Sequence, residues 1–177
     1  IDAGGTYLAT SGTTTITSET GSGYAVEFSG TYTHNSGTLK ITTDANTFVK
    51  TNDKTYNLVI EAATSTRVYE WVNNTTIQGD LTVNSGRFTH YSPSYTLTVT
   101  GDVTTTSGGN LDCGSTTVSM NSLTNEGTFV AKIWKGSEEK DLVNKIKKKF
   151  ELVSYFKPDS SRKDSAEIFI VARNFIK

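Results

Sequence analysis

The chain has 177 residues, of which 34% are hydrophobic, and its formal net charge at pH 7 is -1. This length allows one ordinary domain or two small ones, each with a modest core. A single cysteine excludes an internal disulfide and a zinc site built from several thiolates. Because no apolar run approaches the roughly 20 residues that cross a bilayer, we expect no membrane partner.

The composition changes abruptly at Phe129. Residues 1–129 hold 31 threonines, 14 of the 15 glycines, and five basic residues against eleven acidic ones. The remaining 48 residues hold no threonine, one glycine, and twelve basic residues against seven acidic ones. One core rarely needs two such different compositions. We therefore predict two pieces of separate origin, residues 1–128 and residues 129–177.

The first piece repeats itself. The phrase TIQGDLT, starting at Thr76, returns 22 residues later as TVTGDVT, starting at Thr98. Between such phrases, apolar residues alternate with polar ones, which is the period of a strand with one buried face. Gly, Asn, Asp and Ser separate the strands and tolerate turn geometries. This pattern predicts a β-solenoid, and we favour a right-handed β-helix, with an antiparallel β-sandwich as the alternative.

Two further patterns concern the surface of this piece. GTYTH, starting at Gly30, is echoed by GRFTH, starting at Gly86, which predicts equivalent repeat positions for His34 and His90. We expect no metal site there, because no carboxylate or thiol cluster completes a coordination shell. A group of aromatic residues predicts stacking inside the solenoid, with a sugar-binding patch as the alternative; it consists of Tyr69, Trp71, Tyr91 and Tyr95.

The second piece predicts a strand, a helix and a β-hairpin. GTFVAKIWKG, from Gly127, has the apolar content of a strand. A helix is indicated by an N-cap at Ser137, acidic residues after it and lysines in its last turn. Its apolar stripe consists of Leu142, Val143, Ile146 and Phe150. Two strands, FELVSYFK and EIFIVARNF, then flank the polar loop PDSSRKDSA.

These phrases, from GTFVAKIWKG to KPDSSRKDSAEIFIVA, closely resemble the C-terminal end of the FtsJ-like (RlmE-type) ribosomal RNA methyltransferases. That family transfers a methyl group from S-adenosylmethionine to a ribose 2′-hydroxyl of large-subunit ribosomal RNA. It uses a doubly wound α/β fold and a tetrad of Lys, Asp, Lys and Glu. The resemblance assigns Lys132 to the second lysine of the tetrad and Glu167 to its glutamate. Arg162, Lys163 and Ser165 match the polar loop beside them.

The chemistry of ribose methylation explains these residue types. A hydroxyl is a poor nucleophile, so a lysine with a lowered pKa can accept its proton or hold its oxygen in line. Glu167 would position and tune that lysine. Basic residues nearby would contact RNA phosphates. They are Arg162, Lys163, Lys147, Lys148 and Lys149. For the consecutive lysines 147–149, the alternative is a solvated helix end.

The family's glycine-rich cofactor turn, of the type DLGAAPGG, and the other two tetrad residues do not occur in this sequence. The repeats stand in their place. We therefore expect no bound cofactor, with S-adenosylmethionine implied by the resemblance alone, and no methyl transfer by this chain by itself. The strand at Phe129 would lose a neighbour, which exposes an edge open to self-association.

Three functional classes follow. The first is a chimera of a structural solenoid and an incomplete ribosomal RNA 2′-O-methyltransferase. The second is a phage or cell-surface protein with a structural or adhesive role, since the repeats resemble those of phage structural and bacterial surface proteins. The third is an RNA-binding remnant that uses the basic C-terminal piece. The methyltransferase predicts a cytoplasmic location, and the solenoid predicts the virion or the cell surface.

Overall fold

A computed structural model describes residues 1–17, 23–126, 128–134, 139–158 and 165–176. The chain forms two compact units, Ile1–Thr124 and Asn125–Lys177. Strands hold 54% of the residues and helix 5%, so the fold is mainly β, as the sequence predicts. Among the described residues, no helix is both long and apolar enough to cross a membrane.

The described part of the first unit is built from short strands. In chain order they are β1 (Thr6–Leu8), β2 (Thr13–Ile16), β3 (Gly23–Glu27), β4 (Thr31–Thr33), β5 (Thr38–Ile41), β6 (Thr47–Lys50), β7 (Asn57–Glu61), β8 (Val68–Trp71), β9 (Thr75–Ile77), β10 (Leu81–His90), β11 (Leu97–Val99), β12 (Asp102–Asp112), β13 (Val118–Ser119) and β14 (Ser122–Asn125).

These strands wind into a β-solenoid of about five turns. Each described register within it is parallel. Parallel neighbours need a long connection, which here is the rest of one turn, whereas an antiparallel sandwich would join neighbours by hairpins. The solenoid prediction is therefore confirmed and the sandwich alternative is wrong. The right-handed sense of the coil stays a prediction.

Each turn of the coil, or rung, has three faces. The first face carries β1, β4, β9, β11 and β13. The second carries β2, β5, β7 and the first halves of β10 and β12, and the third carries β3, β6, β8 and the second halves of β10 and β12. β10 and β12 turn the corner between these faces at Gly86 and Gly109, which are register partners. Gly86 has a φ of 83°, a conformation that favours glycine.

The repeated phrase is explained by rung stacking. Thr76 pairs with Thr98 and Thr82 pairs with Thr104, so the 22-residue spacing of the sequence is the spacing of these two rungs. At the corner inside the phrase, the Asp102 backbone N–H donates to Asp80 Oδ1 at 2.8 Å. A Cβ at Gly101 would collide with that same oxygen. Glycine at position 101 therefore leaves room for the side-chain oxygen that accepts this bond.

The interior of the solenoid is a stack of apolar side chains. Leu39, Leu58, Leu81 and Val103 follow one another in register on the second face, and each is at most 2% exposed. The third face contributes fully buried aromatic residues, including Tyr69 and Trp71. The predicted interior position is therefore confirmed for these two residues, and the Trp71 ring centroid lies 4.9 Å from that of Phe88.

The equivalence predicted for His34 and His90 is wrong. His34 follows β4 on the first face, where its ring stacks on Tyr56 with centroids 5.3 Å apart. His90 ends β10 on the third face and is the register partner of Trp71. The two phrases share letters because both belong to strands, but they occupy different faces of the coil.

The second unit contains the predicted strand, helix and hairpin. They are β15 (Phe129–Trp134), α1 (Glu139–Lys147), β16 (Phe150–Phe156) and β17 (Glu167–Phe175). The sheet order is β15, β17, β16, and β17 is antiparallel to both neighbours. β15 lies at the edge of this sheet. Self-association through that edge stays a prediction.

Helix α1 covers one face of this sheet. Val143 and Ile146 are buried in a cluster with Ile170 and Ala172 of β17. Of the predicted stripe, Leu142 is 39% exposed and so contributes little to the cluster. Because side chains alternate along a strand, Phe169 and Val171 face away from the helix.

Strand alternation in the solenoid can be tested with two adjacent residues. Leu58 is fully buried, whereas its neighbour Val59 is only half-buried on the outer side of β7. Leu58→Ala should lower the free energy of unfolding by about 3 kcal/mol, because it opens a cavity between rungs. Val59→Ala should cost less than about 1 kcal/mol. Urea denaturation of both variants measures this, and equal losses would contradict the described register.

Candidate functional site

The two tetrad residues implied by the family resemblance lie on adjacent strands. The backbone of Lys132 lies in β15 opposite Phe169 of β17, and Glu167 lies two residues before Phe169. Positions 132 and 167 are therefore diagonal neighbours on one face of the sheet. Such neighbours are about 7–8 Å apart, within reach of long side chains. The side chain of Lys132 lies outside the described part of the structure.

This face of the sheet is the one that α1 does not cover, since Ile168 and Ile170 point to the helix side. It carries large apolar side chains that remain exposed: Val130 is 57% exposed, Leu152 58% and Phe156 57%. An apolar sheet face normally packs against another layer. The residues around positions 132 and 167 thus form an apolar surface with Glu167 at its margin.

The start of β17 is held by the end of the polar loop. The Glu167 backbone N–H donates to Ser165 Oγ at 3.2 Å. The Lys157 ammonium donates to the Ser165 carbonyl oxygen at 2.9 Å. Ser165 therefore fixes the backbone at Glu167 from the end of β16. Sequence reasoning placed Ser165 in the polar loop and gave no role to Lys157, the first residue of the family phrase that contains this loop.

The predicted RNA-binding residues fall into two groups. Lys147, Lys148 and Lys149 are exposed where α1 ends and leads into β16. They belong to the helix layer, whereas positions 132 and 167 lie on the opposite face of the sheet. The structure therefore does not bring this group and the tetrad residues together. Arg162 and Lys163 lie outside the described residues.

Ion pairs on the solenoid surface link successive rungs. Lys50 Nζ lies 2.8 Å from Glu27 Oε1, and Lys40 Nζ lies 2.7 Å from Glu61 Oε1. The hydrogen bond from Lys50 lowers the pKa of Glu27, and the same bond raises the pKa of Lys50. These side chains are half-buried at the surface, where solvent screening keeps the contribution of each pair to stability small.

Cys113 follows β12 and is half-buried. Burial, with a smaller contribution from the Asp112 carboxylate, raises the pKa of its thiol to about 11. The thiol is therefore protonated near neutral pH, as expected for a small packed residue. In the described residues, no group of three or more His, Cys, Asp or Glu side chains is placed to hold a metal ion.

Comparison with known proteins locates the similarity in the C-terminal part. The FtsJ-like methyltransferase family profile matches residues 96–175. A stretch of 54 residues is 50% identical to ribosomal RNA large subunit methyltransferase E of Wolbachia pipientis wMel, covering 30% of this chain and 28% of that protein. A stretch of 48 residues is 54% identical to its namesake from Rickettsia bellii (strain RML369-C), covering 27% and 21%. No solved structure matches.

The resemblance predicted from the C-terminal phrases is thus confirmed for a partial segment. The chain spans about a quarter of the length of these curated relatives. The profile match begins in the first unit, where β11 to β14 form solenoid rungs. The second unit holds the strand, helix and hairpin that the family phrases predicted.

The raised pKa of Cys113 predicts that its thiol reacts slowly with alkylating reagents. Alkylation by iodoacetamide at pH 8 should be about 100-fold slower in the native chain than in the chain unfolded by urea, because only the thiolate reacts. Mass spectrometry of timed samples measures the rate, and Cys113→Ser, which removes the thiol, sets the background. Equal rates in both states would show that the burial described here does not protect the sulfur.

Proposed function

We propose that this chain is a chimera in which a structural β-solenoid carries a C-terminal fragment of a ribosomal RNA 2′-O-methyltransferase. We also propose that the chain by itself transfers no methyl group. One observation supports this proposal: the described strands before β15 pair as parallel rungs, while the stretches similar to the relatives are only about 50 residues long and the family profile matches residues 96–175.

The physical reason concerns the cofactor. In a doubly wound fold, a nucleotide-like ligand binds in the crevice at the carboxyl ends of parallel strands, where a glycine-rich turn approaches it. The solenoid rungs have their interior filled by side chains such as Leu58, Trp71 and Phe88, each fully buried. A coil packed in this way offers no equivalent crevice of its own.

In this proposal, Lys132 and Glu167 are the part of the catalytic apparatus that the fragment retains. S-adenosylmethionine would supply the methyl group in a complete enzyme. Lys132 would accept the proton of the ribose hydroxyl or hold its oxygen, and Glu167 would tune that lysine. Their diagonal placement on adjacent strands supports this pairing. Ser165 would act as a positioning residue through its bond to the Glu167 backbone.

Methyl transfer is tested directly. The full chain is incubated with S-adenosylmethionine labelled in its methyl group and with undermethylated large ribosomal subunits, and label in the RNA is counted. We expect background counts, because two tetrad residues and the cofactor turn do not occur in the sequence. The complete Rickettsia bellii methyltransferase serves as the positive control. Label transferred by this chain, and lost in Lys132→Ala, would overturn the proposal of inactivity.

The roles of Lys132 and Glu167 are tested in a hybrid enzyme. In the Rickettsia bellii methyltransferase, the 48 residues that match this chain are replaced by the corresponding residues of this chain. The hybrid therefore keeps the rest of the complete enzyme's fold. We expect this hybrid to transfer label, and Lys132→Ala or Glu167→Gln in the hybrid to lower the rate at least about 100-fold. Lys140→Ala, on the exposed side of α1, should leave it unchanged. An active Lys132→Ala hybrid would remove Lys132 from the proposed site.

A second candidate function is RNA binding by the basic end. It is supported by the exposure of Lys147, Lys148 and Lys149, which follow one another at the end of α1. In the described residues, none of the three forms an ion pair that would neutralise it. Three adjacent exposed ammonium groups suit the phosphate backbone of RNA, which is recognised by charge without base specificity.

Salt dependence tests RNA binding. The full chain should retain single-stranded RNA at low salt, and replacing Lys147, Lys148 and Lys149 by Gln should reduce the slope of log affinity against log salt by about 0.7 for each lysine that contacts phosphate. Filter binding over a salt series measures the slope. Lys40→Gln, which removes a solenoid lysine already paired with Glu61, should not change it. An unchanged slope in the triple variant would exclude this role for the lysines.

A further inference from the structure

The third face of the solenoid carries three aromatic rings on its outside. Tyr24 is 50% exposed and Tyr91 is 60% exposed, and Phe48 lies half-buried between them. The Phe48 ring centroid is 5.6 Å from that of Tyr24 and 5.4 Å from that of Tyr91. We call these three residues the aromatic row. It differs from the group that the sequence suggested, because two members of that group are interior.

The placement of the row follows from strand register. Tyr24 of β3 and Phe48 of β6 are register partners on adjacent rungs. Thr47 and Val49, on either side of Phe48, are buried, so Phe48 must point outward. Tyr91 comes directly after β10, and its backbone N–H donates to the Trp71 carbonyl oxygen at 3.0 Å. The backbone of each of these three residues is therefore held by hydrogen bonds to a neighbouring rung.

Polar groups flank the row. Glu27 and Lys50, which form an ion pair at 2.8 Å, lie further along β3 and β6 on the same side of the strands. The hydrogen bond to Glu27 raises the pKa of Lys50, and Tyr24 and Tyr95 add to that rise more weakly. The ion pair is neutral overall, and together these groups donate and accept hydrogen bonds beside the rings.

We propose that the aromatic row is a binding surface for neutral oligosaccharides. Exposed aromatic faces stack on the C–H faces of pyranose rings, while a tyrosine hydroxyl bonds to water or to sugar hydroxyls. The paired carboxylate and ammonium of Glu27 and Lys50 offer both acceptors and donors to hydroxyl groups. This binding function belongs to the solenoid and does not depend on the proposed methyltransferase origin of the second unit.

Charge selects a neutral ligand over nucleic acid. Bases also stack on aromatic residues, but nucleic-acid grooves combine those residues with excess positive charge. The first unit, Ile1–Thr124, contains five basic residues against ten acidic ones, so it repels a polyanion. Among the described residues of the third face, the exposed large apolar side chains are both tyrosines, whose rings and hydroxyl groups suit a ligand rich in C–H faces and hydroxyls.

The experiment uses the full chain on an array of neutral and acidic oligosaccharides, followed by calorimetry with the neutral glycan retained best. Tyr24→Ala and Tyr91→Ala should each weaken binding roughly fivefold, because each removes one stacking ring. Tyr24→Leu and Tyr91→Leu should weaken it equally, since they keep apolar area but not the ring. Tyr7→Ala is the matched control, because Tyr7 is an exposed tyrosine that stacks on Tyr32 away from the row.

Circular dichroism and the urea midpoint confirm that each variant folds. Binding that persists at high salt supports the proposal, because salt does not screen the contacts with an uncharged ligand. The proposal is overturned if no neutral glycan is retained, if acidic glycans alone bind, or if the Leu variants bind as the unchanged chain does. None of these outcomes depends on methyl transfer, so the two proposals fail separately.

Discussion

The parallel stacking of one rung on the next is the constraint on which the solenoid depends. Each described strand pair joins residues about one turn apart in the chain, so the hydrogen bonds of one rung position the next. At the corners, side chains also link successive rungs by hydrogen bonds. Asn57 Oδ1 accepts the Asp80 N–H at 2.9 Å, and Asp80 Oδ1 accepts the Asp102 N–H. The first unit is therefore stabilised mainly between nearest-neighbour rungs.

The second unit depends on a different arrangement, in which a helix covers only one face of a sheet. Ile170 and Ala172 are buried under α1, while Val130, Leu152 and Phe156 remain exposed on the other face. Sheets that carry helices in doubly wound folds are covered on both faces. The exposed face also holds positions 132 and 167. In the described part of the second unit, positions 132 and 167 therefore share a sheet face with exposed apolar side chains.

The two proposals thus rest on separate units. The rungs place side chains from distant points of the sequence on one outer face, as with Tyr24 and Tyr91, and the rigid ladder keeps them aligned. The second unit carries positions 132 and 167 on one face of its sheet and an exposed run of lysines at the end of the helix that covers the other face. Binding by the solenoid and RNA contact by the basic helix end do not require each other, which is consistent with a chimeric origin.

Much of this was determined by local sequence. The solenoid repeat and the strand, helix and hairpin of the second unit were predicted from alternation and family motifs, which are local patterns. The pairing of Lys132 with Glu167 stays a prediction. Tertiary structure decided the rest. Thr38 pairs with Asn57 while Thr6 pairs with Thr31, so rung length varies. For this reason, the similar phrases that contain His34 and His90 lie on different faces of the solenoid. The exposed aromatic residues are likewise far apart in the sequence. The face on which a residue lies is set by the corners and the strand register, which only the assembled coil fixes.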